Sequence, residues 1–198
     1  MIKIDDGCPD TKSTDPIGRA MEYCLSTDSG DPIKILKALM KDPAVPFHGP
    51  VHHSLVPFAV LTAYKNSGGD IDLPLAMRKA HERGSIIPGA VCGHWGACGA
   101  ALGCGISFSV ITGDGPLAKE VWSKDQVMVS RCLANIARFG GPRCCKRDAY
   151  LAIPVAAEFF KEHLGVEMDI PDTIKCYVSE KNSVCLKEAC PFNPGHKG

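Results

Sequence analysis

Several features that assign a function quickly are missing from this chain of 198 residues. Its 22 Lys and Arg are matched by 22 Asp and Glu, so no overall field of one sign recruits nucleic acid or a membrane surface. The N-terminus lacks the basic and apolar regions of a secretory signal. We therefore expect a cytoplasmic protein without a membrane partner, and we expect no nucleic-acid ligand other than an RNA substrate.

Motifs for nucleotide binding and hydrolysis are also absent. The segment GDGPLAK lacks the spacing of a phosphate-binding loop, and no G-x-G-x-x-G follows a strand. The chain contains no H-E-x-x-H and no nucleophile elbow. These absences leave hydrolysis at a single metal ion with little support.

One long segment, residues 84–113, has no Asp, Glu, Lys or Arg. Its smoothest apolar part is shorter than the ~20 residues that cross a bilayer. Gly99 and Gly103 form a G-x-x-x-G, which permits close packing of helices. We therefore predict a central buried helix here and not a membrane span.

Helical periodicity dominates the rest of the chain, so the predicted fold class is mainly α. The best strand signal is IKCYVS, residues 174–179. We predict a compact helical domain over residues 1–170 and a short cysteine-rich C-terminal module over residues 171–198 that contributes to the same site. Helices are predicted to begin at Asp15-Pro16, Asp31-Pro32, near Ser54, at Leu73, at Pro116 and at the cysteine pair 144–145.

Cysteine, in contrast, is abundant, with 11 residues. An odd count without a secretory signal fits a disulfide scaffold poorly, and clustered cysteines in a reducing cytosol bind metal or carry out redox chemistry. Cys24 and Cys132 lie on apolar helix faces and are predicted to be buried hydrophobic side chains. Cys8 precedes a proline in a polar tail and says little.

Three further cysteines, Cys92, Cys98 and Cys104, follow one another at six-residue intervals. Six residues turn a helix by about 600°, so these positions would diverge by about 120° on a continuous helix. We predict that Cys92 lies on a glycine-rich loop, that Cys98 lies at a helix N-terminus, and that Cys104 is buried inside that helix.

Glycines and a tryptophan surround these cysteines. Gly93, Gly96 and Gly99 would let the backbone approach a bulky inorganic centre and donate N–H groups to its sulfurs. Trp95 could cover a hydrophobic cofactor from water. All four residues are therefore candidates for cofactor binding.

The segment GGPRCCKR places Cys144 and Cys145 at a predicted helix N-terminus beside Arg143, Lys146 and Arg147. The positive helix end and these cations are expected to lower the pKa of both thiols. Neighbouring positions diverge by about 100° around a helix, so the pair fits a single tetrahedral ion poorly. Either a cluster with separate iron corners accommodates both, or one cysteine ligates and the other reacts.

The C-terminal module contributes Cys176, Cys185 and Cys190, and Pro191 follows the last of them. A Cys-Pro pair also closes the ligand run of bacterial ferredoxins, although their C-x₂-C-x₂-C part is absent here. With His196, the same three cysteines form a plausible zinc set. Neither spacing is specific, so cluster and zinc stay open.

Three histidines, His48, His52 and His53, precede the third predicted helix. In one interpretation, one histidine caps the helix and the others are solvated. In the other, His52 or His53 faces the cysteines as a proton carrier or an extra ligand.

As a set, five motifs resemble a cysteine-rich domain family of unknown function from anaerobic archaea and bacteria, over residues 52–192. The resemblance implies no reaction, but the anaerobic setting favours an oxygen-sensitive cluster. The motifs are HHSLVP, LTAYKN, RGSIIPGAVCGHWGACGAALGCGIS, GGPRCCKRDAYLAI and NSVCLKEACPF. The resemblance implies as metal ligands Cys92, Cys98, Cys144, Cys145, Cys176, Cys185 and Cys190.

The resulting hypothesis is an iron–sulfur protein that holds one 4Fe–4S cluster through three or four of these cysteines. The remaining thiols and the basic patch would act on a small anionic or sulfur-bearing substrate, in the manner of a sulfur transferase. An electron donor or a radical enzyme is a candidate partner protein. Catalytic roles are assigned to Cys144, Cys145, His52, His53, Lys146 and Arg143.

Two alternatives come from other classes of protein. The first is a helical binding module stabilised by a structural zinc ion. The second is a redox protein that forms a disulfide between Cys144 and Cys145, which would be strained and easily reduced.

Overall fold

The structure is a computed structural model and describes residues 15–197. Within this range the chain forms eight α-helices and one short 3₁₀ helix and contains no strand, which confirms the mainly α fold class. Cys8 lies outside the described residues. The α-helices are α1 Pro16–Ser26, α2 Pro32–Leu39, α3 His52–Asn66, α4 Leu73–Ser85, α5 Val91–His94, α6 Gly99–Thr112, α7 Trp122–Ala137 and α8 Cys145–Leu164, and the 3₁₀ helix is Lys187–Ala189.

Three helices begin where the sequence predicts, and each has an aspartate followed closely by a proline. Asp15, Asp31 and Asp72 are the N-cap residues of α1, α2 and α4. Each carboxylate accepts a hydrogen bond from a backbone N–H of the first turn, at 2.8–3.1 Å. These starts are visible in the sequence because an aspartate cap and a proline without an N–H both satisfy the free end of a helix locally.

The core of the fold is built around α3. Residues 52–64 of this helix are all buried, and it packs against α1, α2, α4, α6 and α8. The uncharged helix α6 lies on α3, where a Cβ at Gly103 would meet Val56 at 3.0 Å. The G-x-x-x-G of α6 therefore provides close packing inside the protein. Among the described residues, no helix is long and apolar enough to cross a membrane.

Two predicted elements differ from the structure. Residues 174–179 form no strand, because the backbone N–H of Cys176 donates to the Phe192 carbonyl at 2.7 Å and that of Val178 faces the Cys176 sulfur. The segment is therefore part of a loop whose backbone bonds to residue 192 and to its own cysteine side chain, and not to a neighbouring strand. Helix α7 begins at Trp122 and not at Pro116, because residues 116–121 form turns.

Candidate functional site

The site is organised around the N-terminus of α8. Cys144 is the N-cap residue with an extended backbone (φ −143°), and Cys145 is the first helical residue. The two side chains leave the backbone in different directions and line different cavities. This separation divides the seven candidate ligands into two groups.

The first group, called here the four-cysteine group, lies between α8 and the C-terminal segment. Asn182 connects the two parts, because its side-chain amide donates to the Cys144 sulfur at 3.8 Å. The segment is also held to α8 by Phe192, whose ring stands edge-on to that of Tyr150 at 5.3 Å between centroids. The cysteines that line this small cavity are Cys144, Cys176, Cys185 and Cys190.

Backbone N–H groups point at the sulfurs of the four-cysteine group. Cys176 accepts from the N–H of Val178 at 3.5 Å, and Cys185 accepts from that of Lys187 at 3.3 Å. In both cases the donor lies two residues after the cysteine. Such donors stabilise a thiolate, which is the form that binds metal.

A buried hydroxyl without a partner lies beside the same four cysteines. Tyr150 is 1% exposed, lines their cavity, and its hydroxyl makes no hydrogen bond within the described part of the chain. A buried polar group without a partner is costly, so an orphaned hydroxyl indicates a missing acceptor.

The second group, called here the three-cysteine group, comes from three elements. Cys92 lies in α5, Cys98 is the N-cap residue of α6, and Cys145 begins α8, and all three line one small cavity. The prediction for Cys98 is confirmed. The predicted loop position of Cys92 is wrong, because the Ala90 carbonyl accepts from two following N–H groups and closes a short helix.

The remaining cysteines behave as the sequence indicates. Cys24, Cys104 and Cys132 are at most 1% exposed and belong to the hydrophobic core. All ten cysteines of the described residues are free thiols.

Burial raises the pKa of three thiols at this site, Cys98, Cys144 and Cys145. The pKa of Cys98 rises to about 12, with Asp148 as the next contribution. The expectation that helix end and cations lower these pKa values is wrong. The backbone N–H groups of Arg147 and Lys146 do oppose the rise at Cys144, but loss of water outweighs them.

The three cations do not form one exposed patch. Lys146 is 3% exposed, and its Nζ donates to the Phe47 carbonyl at 3.3 Å. Arg147 is also buried and donates to the carbonyls of Gly140 and Pro142. Arg143 alone of the three is exposed.

Two of the histidines line the cavity of the three-cysteine group. His52 Nε2 lies 3.0 Å from the Pro46 carbonyl and His53 Nδ1 lies 3.2 Å from that of Ile87. Because a carbonyl only accepts, each of these nitrogens carries the proton, and the other nitrogen of each ring keeps a lone pair. His52 Nδ1 is buried and has no partner within the described residues.

The histidines are neither capping nor solvated groups. His52 and His53 are 3% and 7% exposed, and α3 has no side-chain cap bond. Burial lowers the pKa of His52 to about 4 and also lowers that of His53. His48 contacts Asn182, with Nε2 and Oδ1 3.4 Å apart. His52 and His53 therefore belong to the cavity of the three-cysteine group, whereas His48 contacts a residue of the four-cysteine cavity.

A wide groove of about 760 Å³ opens next to the three-cysteine group. Cys92, Cys98 and Asp148 line both the groove and the small cavity behind it. Arg143 lies at the same edge, and the opposite wall is apolar and comes from α7. A molecule in this groove would therefore meet two thiols, a guanidinium and an apolar surface.

The predicted cofactor-binding residues have different roles in the structure. A Cβ at Gly99 would collide with the His53 ring, so this glycine provides room for the histidine. Gly93 and Gly96 have open space at the Cβ position and line the groove. Trp95 is 68% exposed.

Sequence reasoning missed Asp148, Tyr150 and Asn182. Asp148 has a visible signal, because an acidic residue in the first turn commonly binds free N–H groups, and its carboxylate lies 3.4 Å from the N–H of Cys144. Tyr150 and Asn182 have none, because their positions depend on tertiary packing.

A single metal ion has no preformed set of ligands here. Within residues 15–197, no three His, Cys, Asp or Glu side chains are close enough together to hold one. A tetrahedral zinc ion requires sulfurs about 3.8 Å apart, given Zn–S bonds of about 2.3 Å. His196, which the sequence offers as a fourth zinc ligand, donates from Nδ1 to the Glu188 carbonyl at 2.6 Å.

Comparison with known proteins gives one match. A family model described as a family of unknown function, DUF5714, matches residues 20–193. Neither the curated proteins nor the solved structures contain a significant match.

Proposed function

The chain belongs to the DUF5714 family of unknown function, and we propose that it is an iron–sulfur protein whose four-cysteine group holds a 4Fe–4S cluster. The observation that carries this proposal is the convergence of four thiols from two distant segments on one cavity. A set of four thiols suits either zinc or an iron–sulfur cluster.

The composition of the ligand set is the support for a cluster. Four thiols line one cavity without any histidine or carboxylate among the described lining residues, and soft thiolate ligands suit iron–sulfur clusters. A 4Fe–4S cluster would take one of these cysteines at each iron corner.

The polar groups around the cavity support the same choice. Cluster sulfurs accept hydrogen bonds, and the number of these bonds helps to set the reduction potential. The N–H groups of Val178 and Lys187 already face cysteine sulfurs, and the Tyr150 hydroxyl has no other partner within the described residues.

For the reaction, we propose sulfur transfer to a small molecule bound in the groove, with a metabolite, a cofactor or an RNA base as acceptor. The support is the position of two thiols and Arg143 at the groove edge. In this scheme hydrosulfide attacks an electrophilic carbon of the acceptor, so a carbon–sulfur bond forms and the bond to an anionic leaving group breaks. The proton of hydrosulfide goes to solvent, and no net electron transfer is required.

Reconstitution without oxygen tests the cluster. The full chain is incubated with iron and sulfide, desalted, and analysed for iron, zinc, labile sulfide and visible absorption. We expect about four iron and four sulfide per chain to depend on the four-cysteine group. The double variant Cys185→Ala/Cys190→Ala, which leaves only two thiols at this cavity, should lose them, whereas Cys24→Ala, which removes a buried core thiol, should retain them.

A zinc-stabilised binding module is the competing result. One zinc per chain with no labile sulfide in protein purified without oxygen would overturn the cluster proposal. Equal iron content in the Cys185→Ala/Cys190→Ala variant and the native chain would overturn the assignment to the four-cysteine group.

A further inference from the structure

We propose that the three-cysteine group holds a second iron–sulfur cluster, in which one iron lacks a cysteine ligand, faces the groove and binds a small anion such as hydrosulfide. This inference rests on the proposed function, because it assumes that the chain binds clusters, and it names the ligand of the site beside the groove.

The first step concerns the adjacent cysteines. Cys144 lines the cavity of the four-cysteine group and Cys145 lines that of the three-cysteine group. Their Cα atoms are about 3.8 Å apart, and their side chains diverge because Cys144 has an extended backbone whereas Cys145 begins the helix. Bacterial two-cluster ferredoxins also take neighbouring cysteines of one run to different clusters. A pair of consecutive thiols that serves two centres explains why both positions are cysteine.

The second step concerns the convergence of the remaining thiols. Cys92, Cys98 and Cys145 all line one small cavity. They come from three separate helices, α5, α6 and α8. Packing alone gives no reason to gather three thiols beside a groove.

The third step concerns the histidine nitrogens beside the three thiols, which can accept hydrogen bonds. His52 is 3% exposed and lines this cavity, and its Nδ1 has no partner within residues 15–197. His53 adds a second lone pair at Nε2. Neutral imidazole nitrogens accept hydrogen bonds, so they suit a ligand that carries a proton, as hydrosulfide does.

The fourth step concerns the connection between the cavity of the three-cysteine group and the groove. Three thiolates leave one corner of a four-iron cluster without a cysteine, and Cys92 and Cys98 line both cavity and groove. Arg143 at this edge is exposed and attracts anions. Asp148 also faces the groove, but its charge is paired with the buried Arg147. The balance at the opening therefore favours a small anion.

A matched pair of variants tests the second cluster in the full chain. After reconstitution we expect about eight iron per native chain, and about four each in the double variant Cys144→Ala/Cys185→Ala and in Cys145→Ala, because each change leaves only two thiols at its cavity. Cys92→Ala should behave like Cys145→Ala, and Cys176→Ala/Cys190→Ala like Cys144→Ala/Cys185→Ala. Cys104→Ala, a core thiol in α6, should keep all the iron. Circular dichroism checks that each variant retains its helices, and the paired variants keep the test valid if one of them fails to fold.

Each alternative iron count has a distinct meaning. Native protein with about four iron, lost in Cys144→Ala/Cys185→Ala but kept in Cys145→Ala, would overturn the second cluster and leave the proposed function intact. About four iron lost in both variants would indicate one shared centre and would also overturn it. No iron in any sample would remove the proposed function itself.

Titration with hydrosulfide tests the iron that is proposed to lack a cysteine ligand. Titration of reduced, reconstituted protein with hydrosulfide should change the electron paramagnetic resonance spectrum of one cluster, and this change should be absent in Cys145→Ala. Arg143→Ala should raise the hydrosulfide concentration at half-effect about tenfold, as expected for a charge-assisted contact. The control Arg138→Ala removes another exposed arginine and should leave it unchanged. An unchanged spectrum in the native protein would overturn the open site.

Discussion

The carboxylate of Asp148 is paired with the guanidinium of Arg147, with Oδ1 and Nε 3.1 Å apart and both side chains buried. The other oxygen of Asp148 accepts from the Cys98 thiol at 3.7 Å and from the N–H of Cys144 at 3.4 Å. One buried ion pair thus contacts a member of each cysteine group. Burial raises the pKa of Asp148 and Arg147 opposes that rise, so the charge of the carboxylate depends on its partner.

We expect Arg147→Met to lower the free energy of unfolding by about 3 kcal/mol, because it leaves the Asp148 charge buried without a partner. Urea unfolding measures this change. The exposed pair of Arg131 and Glu162 supplies the control, and Arg131→Met should cost less than about 1 kcal/mol. Similar losses in the two variants would show that the buried pair has no special role.

Gly99→Ala should lower the free energy of unfolding by about 1–3 kcal/mol, because the new methyl group would collide with the His53 ring. Gly93→Ala is the matched control, since its Cβ position is open and the change should be neutral or stabilising by under about 1 kcal/mol. Thermal or urea unfolding compares the two. Equal stability of the two variants would contradict the close approach of α6 to α3.

The free energy of unfolding should fall as the pH falls from about 6.5 to about 4 because of His52. The folded state keeps this histidine neutral until pH about 4, whereas the unfolded state binds a proton near pH 6.5, so acid favours unfolding. The full effect is about 3 kcal/mol, and all of the stability is present above the unfolded pKa.

Urea unfolding at several pH values compares the native chain with His52→Gln, whose amide can still donate to the Pro46 carbonyl. The variant should lose stability less steeply between pH 6.5 and 4. Parallel curves for the two proteins would assign the pH dependence to other groups.

Tyr150→Phe should leave the iron content unchanged and lower the reduction potential of the cluster in the four-cysteine group. The hydroxyl has no partner within the described residues, so we expect it to donate to a cluster sulfur and to favour the more negative reduced state. Potentiometric titration measures the change. Tyr177→Phe is the control, because its hydroxyl donates to the Lys37 carbonyl at 3.5 Å. A potential that does not change in Tyr150→Phe would contradict the contact.

The sequence predicts the helical fold well where the signals are local. The aspartate and proline pairs carry their own caps, and Gly165 ends α8 with a left-handed backbone (φ 70°) as its position indicates. The start of α7 was predicted six residues too early because Pro116 suits a turn as well as a helix start.

The sequence predicts which cysteines belong to the site, but not which of them lie together in the fold. The sequence predicts that the side chains of Cys144 and Cys145 diverge, yet their neighbours depend on how α5, α6 and the C-terminal segment pack on α8. The thiol pKa prediction was wrong for the same reason. The cations are visible in the sequence, but the burial that outweighs them is a tertiary property.

The topology also separates the two cysteine groups along the chain. Cys92, Cys98 and Cys145 are all present once α8 has been synthesised, whereas the four-cysteine group also needs Cys176, Cys185 and Cys190 from the C-terminal segment. If each group holds a cluster as proposed, the three-cysteine group is the first to have all its ligands in a growing chain.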